Sequence, residues 1–329
     1  MKLRWQGFHG PMAAPIERYL TQKRALGCRF HTEEKALQLL DRFLLERGIR
    51  TIDEIEPALL EAFLASRPRS RPRSYNHLLC VVRRLFDWLV AQGELACSPV
   101  QTGSRRETAR RIPFLFNAEQ GRRLLDAAIK LPDASNAQLR GHTYRTMFAL
   151  LYGLGLRVGE VSRLCGRDVD FERQLLVIRD TKFSKSRLVP FGPRIGQLLE
   201  DYLERRARCY GPLSVDALLF SFDGRKSISP TAICGTFHRL FDGLKLPIPP
   251  GASRPRVHDL RHSFAVGTLL RWYREGIDPS KRLIHLSTFL GHSDPASTAV
   301  YLTITPELLA QASWRFERYA GEKLREVFG

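Results

Sequence analysis

The sequence predicts a mainly α-helical chain with one small antiparallel β-sheet, divided into two domains. Three observations carry this expectation. The chain has 329 residues, more than one core ordinarily organises. Apolar residues recur at helical spacing through most of its length. One stretch, "QLLVIRDTKFSKSRLVPFG" at 174–192, reads instead as two strands: apolar Leu175–Ile178, a polar turn, then Leu188 and Val189 before Pro190. The expected division is a helical domain over 1–100, a basic linker over 101–113 and an α+β domain over 114–329.

Within the first domain, residues 12–97 read as four amphipathic helices. "TEEKALQLLDRFLLERG" sets Leu37, Leu40, Leu44 and Leu45 at helical spacing, with Thr32 as cap and Gly48 past the last turn. "SYNHLLCVVRRLFDWLVAQG" repeats the pattern with Leu78, Val81, Val82, Leu85, Phe86 and Leu89, capped by Ser74 and ended by Gly93. These stripes are core. Ahead of the second lies "SRPRSRPRS", carrying Arg67, Arg69, Arg71 and Arg73, where the prolines forbid helix. Four arginines delivered to a helix N-terminus suit phosphate contacts, and a solvated loop explains the same letters. The linker "QTGSRRETARRIP", bounded by Pro99 and Pro113, is polar and expected to be flexible. Its Arg105, Arg106, Arg110 and Arg111 are placed to lie along a DNA backbone.

In the second domain, helices are expected at 118–132 and at 139–164, the latter breaking near Gly155. Others follow the strands at 193–209, 229–241, 259–275, 280–290, 295–302 and 306–326, and no internal repeat is found.

Apolar content of 43% with 26% charged residues describes an ordinary soluble globular chain. No apolar run reaches the roughly 18 residues of a membrane span, and the N-terminus lacks the apolar stretch of a secretory signal. A cytoplasmic location is expected. Six dispersed cysteines without a CxxC pair suit buried thiols better than disulfides or a zinc ribbon. Lysine and arginine total 52 against 34 acidic residues, a net charge of +18. Such an excess points to a polyanion partner, nucleic acid above all.

Four short stretches stand out. In "LLYGLGLRVGEVSRL" the glycines at 153, 155 and 159 have the wrong spacing for a dinucleotide loop and no P-loop lysine follows. The stretch reads as a broken helix that presents Arg157, either outward or as a partner for Glu160. In "TKFSKSRLVP" Lys182 and Lys185 sit on the turn between strands. In "HDLRHSFA" His258 and His262 stand four apart, the spacing of paired zinc ligands, but Asp259 and Arg261 replace what a zinc helix needs. There, Leu260 and Phe264 are expected on one face, and His258 and Arg261 on the other, one turn apart and able to reach a single anion. In "LGHSDPASTAVYLTI" His292 follows a glycine at a helix end and Tyr301 comes nine residues later.

Together, "GLRVGE", the hairpin lysine, "HDLRH", "LGHS" and the following tyrosine, in this order, closely resemble the tyrosine recombinase (phage integrase) family over about residues 112–315. The hairpin departs from the family's usual Gly-Lys-Gly, since Thr181 and Phe183 flank Lys182. The resemblance implies a SAM-like helical core-binding domain followed by the α+β catalytic domain. It implies an enzyme that cleaves and rejoins DNA strands through a 3′-phosphotyrosine, needing neither metal, ATP nor another cofactor. Arg157 and Arg261 then clamp the scissile phosphate and Tyr301 is the nucleophile. His258 is the general base, and His292 bonds a phosphate oxygen. Lys182, preferred by position over Lys185, protonates the leaving 5′-oxygen. His262 is read as a structural histidine, hydrogen-bonded and turned toward the protein. The implied partners are double-stranded DNA, further subunits of the same chain (a dimer per site, a tetramer in synapsis, joined by the C-terminal helix) and other recombinase subunits, with no membrane. The roles left open are integration, excision, transposition and resolution of chromosome dimers. The rival readings are a type IB topoisomerase-like relaxing enzyme and a DNA-binding accessory protein that does not cut.

Overall fold

The computed structural model describes residues 7–28, 30–106, 112–179, 186–292 and 294–303, together with Ser313 and Glu317. The chain divides into two compact units, Met1–Arg110 and Arg111–Gly329.

Four helices build the first unit: α1 (Ala13–Ala25), α2 (His31–Glu46), α3 (Pro57–Ala65) and α4 (Pro72–Ala91). Their apolar stripes meet in one core that includes Leu37, Leu40, Leu44, Phe63, Leu78, Val82, Leu85 and Phe86. Burying side chains of this kind stabilises by ~1.5–3 kcal/mol each, which holds helices too short to persist alone. Three local expectations are corrected. Leu45 stays 39% exposed, because it lies around the helix from Leu44 at the rim of the stripe. Helix α2 begins ahead of Thr32, with Phe30 as its N-cap in the left-handed conformation at φ 51°. Helix α4 begins at Pro72 rather than after Ser74, since a first-turn proline presets φ and gives up an N–H that has no helical partner.

The stretch expected to be a flexible linker is held along α4 in its first half. Arg83 donates to the Thr102 carbonyl at 2.6 Å, and the Asn76 side chain pairs with both the N–H and the carbonyl of Arg105 at 2.8 Å. The Arg105 guanidinium lies 3.8 Å from the Tyr75 ring centre. Arg106 is exposed, and Arg110 and Arg111 fall outside the described residues.

In the second unit, α5 (Ala118–Ile129) opens with a capping box in which Asn117 accepts from the Gln120 N–H at 2.8 Å and Gln120 reciprocates. Helix α6 (Arg140–Gly153) buries most of its surface, and α7 (Val158–Ser162) restarts after the break at Gly155. The sheet is antiparallel in the order β1 (Val169–Asp170), β2 (Leu175–Ile178), β3 (Arg187–Pro190), with Leu176 opposite Val189. Helices α8 (Pro193–Tyr210), α9 (Pro230–Leu244), α10 (Val257–Arg274), α11 (Pro279–Leu290) and α12 (Ala296–Ala299) follow, and a 3₁₀ turn at Val300–Thr303 carries Tyr301. The main core gathers Phe114, Phe116, Met147, Phe148, Phe237 and Phe241. A smaller cluster of Ala265, Val266, Leu269, Leu286 and Leu290 receives Tyr301.

The six cysteines are free thiols and none is fully buried, with Cys97 and Cys209 exposed. They lie at the margins of the apolar stripes or beyond helix ends, which corrects the expectation of buried thiols. Among the described residues no helix is long and apolar enough to cross a membrane.

Candidate active site

Helix α11 stops at Leu290, and Gly291 follows in the left-handed conformation at φ 70°. The last carbonyls of a helix lack partners within it and form the negative end of its dipole. Three consecutive carbonyls here are taken by arginines from three other segments. Arg187 Nε donates to Phe289 at 2.8 Å, Arg261 Nη2 to Leu290 at 2.6 Å and Arg157 Nη2 to Gly291 at 2.6 Å. A side chain at 291 would place its Cβ 2.8 Å from the Arg187 guanidinium, so both the backbone conformation and the space demand glycine.

A buried carboxylate completes this frame. Glu160 Oε1 accepts from Arg157 Nη1 at 2.7 Å and Arg187 Nη1 at 2.8 Å; its Oε2 accepts from the Arg157 N–H at 2.8 Å and Arg187 Nη2 at 2.9 Å. Burial alone would raise its pKa. The hydrogen bonds and charge of Arg187, joined by those of Arg157, hold it instead at about 2. Arg157 therefore has both a partner in Glu160 and an open side, since its side chain remains 32% exposed.

Arg261 is 1% exposed. Its Nη1 donates to the Gly155 carbonyl at 2.6 Å, while its Nε has no hydrogen-bond partner. Burial, and then the nearby Arg157, lowers its pKa to about 10, which still leaves it charged at neutral pH. Gly155 has φ 60°, and a Cβ there would stand 2.6 Å from the Phe264 ring, so the helix break that presents Arg157 also needs glycine.

Tyr301 is 3% exposed. Burial pushes its phenol upward, and the charges of Arg261 and Arg157 pull it back. Its ring lies nearly parallel to that of His292, 6.3 Å between centres. His292 Nδ1 pairs with the buried Thr298 hydroxyl at 2.7 Å. Burial first, then Arg261 and Arg157, holds the His292 pKa at about 4. His258, at the exposed start of α10, is also held at about 4, by desolvation and then by His262, Arg261 and Arg256.

The histidine that touches Tyr301 is His262, whose Nδ1 lies 2.9 Å from the phenol oxygen. His262 is thus hydrogen-bonded within the protein, as expected, and its partner is the tyrosine itself. His258 meets His262 edge to face, 4.7 Å between ring centres. No group of three His, Cys, Asp or Glu side chains suited to a metal occurs among the described residues.

The structure thus unites Arg157, His258, Arg261, His292 and Tyr301 within the second unit. Lys182 and Lys185 lie outside the described residues. The arginine loop belongs to the first unit; Arg71 and Arg73 are exposed, while Arg67 and Arg69 are half-buried with Nε atoms lacking a hydrogen-bond partner. Sequence reasoning missed Arg187. An arginine opening an otherwise apolar strand was the signal available, and it gives no hint of the helix end it meets.

The model of the phage integrase family matches residues 116–307. A putative integrase/recombinase, y4rB of Sinorhizobium fredii (strain NBRC 101917 / NGR234), is 34% identical over 92% of this chain and 96% of its own length. Tyrosine recombinase XerC of Escherichia coli O157:H7 (strain EC4115 / EHEC) is 29% identical over 89% of this chain and 91% of its own. The fold matches that of the Tn1549 transposon integrase in complex with transposon right end DNA, at a TM-score of 0.65 and 18% identity, covering 93% of this chain and 99% of that one. The chain belongs to the phage integrase family of tyrosine recombinases.

Proposed function

We propose that this protein is a site-specific DNA recombinase that moves or resolves DNA by cutting and rejoining strands through a 3′-phosphotyrosine. The observation that supports it is the convergence of Arg157, Arg261, His292 and Tyr301 around the end of α11. Two guanidiniums neutralise the non-bridging oxygens as phosphorus becomes five-coordinate, and their planar forks suit that geometry. His258 and His292 are neutral near pH 7, so His258 can accept a proton as general base while His292 bonds a phosphate oxygen. Tyr301 attacks, its proton passes to His258, and Lys182 protonates the departing 5′-oxygen. Phosphoester energy stays in the tyrosine bond, so a 5′-hydroxyl from a partner strand reverses the step without ATP or metal.

The reading extends to assembly. Two subunits occupy each DNA site, four join in synapsis through the C-terminal helix, and the reaction takes place on the nucleoid. The names of y4rB and of the Tn1549 integrase support integration or transposition as the role.

The test uses nicked duplexes made from DNA flanking the encoding gene, followed by denaturing electrophoresis. Wild type should leave a protein–DNA adduct that survives EDTA and is absent from Tyr301→Phe. An adduct that persists in Tyr301→Phe, or activity that EDTA abolishes, overturns the proposal. Joining of strands from two different duplexes separates recombination from relaxation.

A further inference from the structure

We infer that Thr298 is a positioning residue of the strand-cleaving reaction: its hydroxyl fixes the His292 tautomer that carries hydrogen on Nε2, and so makes that imidazole a donor to the scissile phosphate. This rests on the strand-cleaving reading above and adds a residue to it.

His292 needs such a partner because it is uncharged. Burial, then Arg261 and Arg157, holds its pKa at about 4, so near pH 7 the ring is neutral. A neutral imidazole has one N–H and one lone pair, and the hydrogen bond made at one nitrogen sets what the other can do. Non-bridging phosphate oxygens only accept. A lone pair on Nε2 would repel them. Hydrogen on Nε2 donates to them, and that bond strengthens as charge builds on those oxygens in the transition state.

The buried hydroxyl decides between the two tautomers. Thr298 is 0% exposed, and its Oγ1 lies 2.7 Å from His292 Nδ1. Among the described residues this is the one hydrogen bond of the hydroxyl. If Nδ1 carried the hydrogen and donated to Oγ1, the hydroxyl hydrogen would be closed off from solvent with no acceptor, a cost that buried polar groups avoid. If Oγ1–H donates to the Nδ1 lone pair, both groups are satisfied and the ring hydrogen stands on Nε2. Nε2 has no hydrogen-bond partner among the described residues, which leaves its hydrogen for a ligand.

The local chain holds the contact in place. Asp294 accepts the Ala296 N–H at 2.9 Å ahead of α12, and Thr298 donates its own N–H to the Pro295 carbonyl at 2.8 Å. The next turn carries Tyr301, whose ring lies 21° from the plane of His292. The hydroxyl thus ties the end of α11, where His292 follows Gly291, to the segment that bears the nucleophile. Valine at 298 keeps the shape and loses the bond, so the ring is free to turn or to exchange tautomers.

Two measurements test this. In protein with isotope-labelled histidine rings, long-range proton–nitrogen NMR at pH 7 distinguishes a protonated ring nitrogen from an unprotonated one. The His292 signals are identified by their absence from His292→Ala. Wild type should show hydrogen on Nε2 and none on Nδ1. Adduct formation on nicked duplex is then timed for Thr298→Val, Thr298→Ser, His292→Ala and the Thr298→Val/His292→Ala double variant. Thr298→Val should slow cleavage by ~10–10²-fold with duplex binding unchanged, and Thr298→Ser, which keeps the hydroxyl, should recover most of the rate. In the His292→Ala background the valine should have no further effect, because a residue that acts through His292 then has nothing to position. Hydrogen on Nδ1 in wild type, a folded Thr298→Val at wild-type rate, or a valine that costs as much without His292 as with it overturns the inference. The spectrum reads wild type, so it decides even where the valine variant does not fold. If wild type forms no adduct on any duplex, the strand-cleaving reading fails and the inference falls with it, whereas failure of the inference alone leaves wild-type cleavage intact.

Discussion

Glu160 is a buried carboxylate held between two guanidiniums, and its energetics follow from that position. It is 5% exposed and its four hydrogen bonds come from Arg157 and Arg187. Its folded pKa, about 2, lies below the ordinary 4.5. A depressed folded pKa stabilises the protein above the ordinary value, and that contribution is lost as pH falls through 4.5 toward 2. One pKa unit corresponds to 1.36 kcal/mol, so the contribution is on the order of 3 kcal/mol. Denaturant unfolding of Glu160→Gln from pH 6 to pH 2 should be less stable than wild type at pH 6 and should lack this share of the acid loss. Equal acid slopes in the two proteins would contradict the assignment. At this scale the sequence was partly legible. Arg157, His258, Arg261, His292 and Tyr301 could be found because each sits in a short motif whose order survives in one dimension. The partners of His262 and Arg187 could not be read, because they lie on a turn 39 residues away and at a helix end 102 residues away.

At the scale of elements, the C-terminus of α11 does what a bound anion would otherwise do for three cations. Its carbonyls at 289, 290 and 291 accept from Arg187, Arg261 and Arg157, and Gly291 turns the chain so that all three remain open. Gly291→Ala forces a left-handed alanine and a Cβ into the Arg187 guanidinium. The conformation alone costs ~1–2 kcal/mol, and the clash adds to it. Calorimetry should show a modestly lower Tm, while adduct formation should fall far more, because all three arginines shift together. A loss of activity no greater than the loss of stability would refute this. The glycine was visible in "LGHS", as was the helix break in "GLRVGE", since glycine at a helix end has one common meaning. Strands β2 and β3 were visible as two short apolar runs on either side of a polar turn. The starts of α2 and α4 were not, because Thr32 and Ser74 match a cap by composition alone, whereas Phe30 and Pro72 define the turns that form.

At the scale of the whole molecule the argument is about charge. A net +18 implies that duplex binding weakens steeply with salt, since each neutralised phosphate contributes about 0.9 to the slope of log affinity against log salt. The positions expected to contact phosphate are not equivalent in structure. Arg71 and Arg73 are exposed at the start of α4. Arg105 holds a cation–π contact with Tyr75 and donates to the Arg69 carbonyl at 3.2 Å, so it also ties the loop and the segment after α4 to that helix. Filter binding of a duplex from 50 to 300 mM salt should show the slope for Arg71→Gln/Arg73→Gln reduced by about 2 if each contacts one phosphate, with Tm unchanged. Arg105→Gln should reduce the slope by about 1 on the same reasoning, and should also lower Tm, because two anchored segments are released together. An unchanged slope in the double variant would assign the loop to solvent, and would leave the excess charge to other parts of the surface.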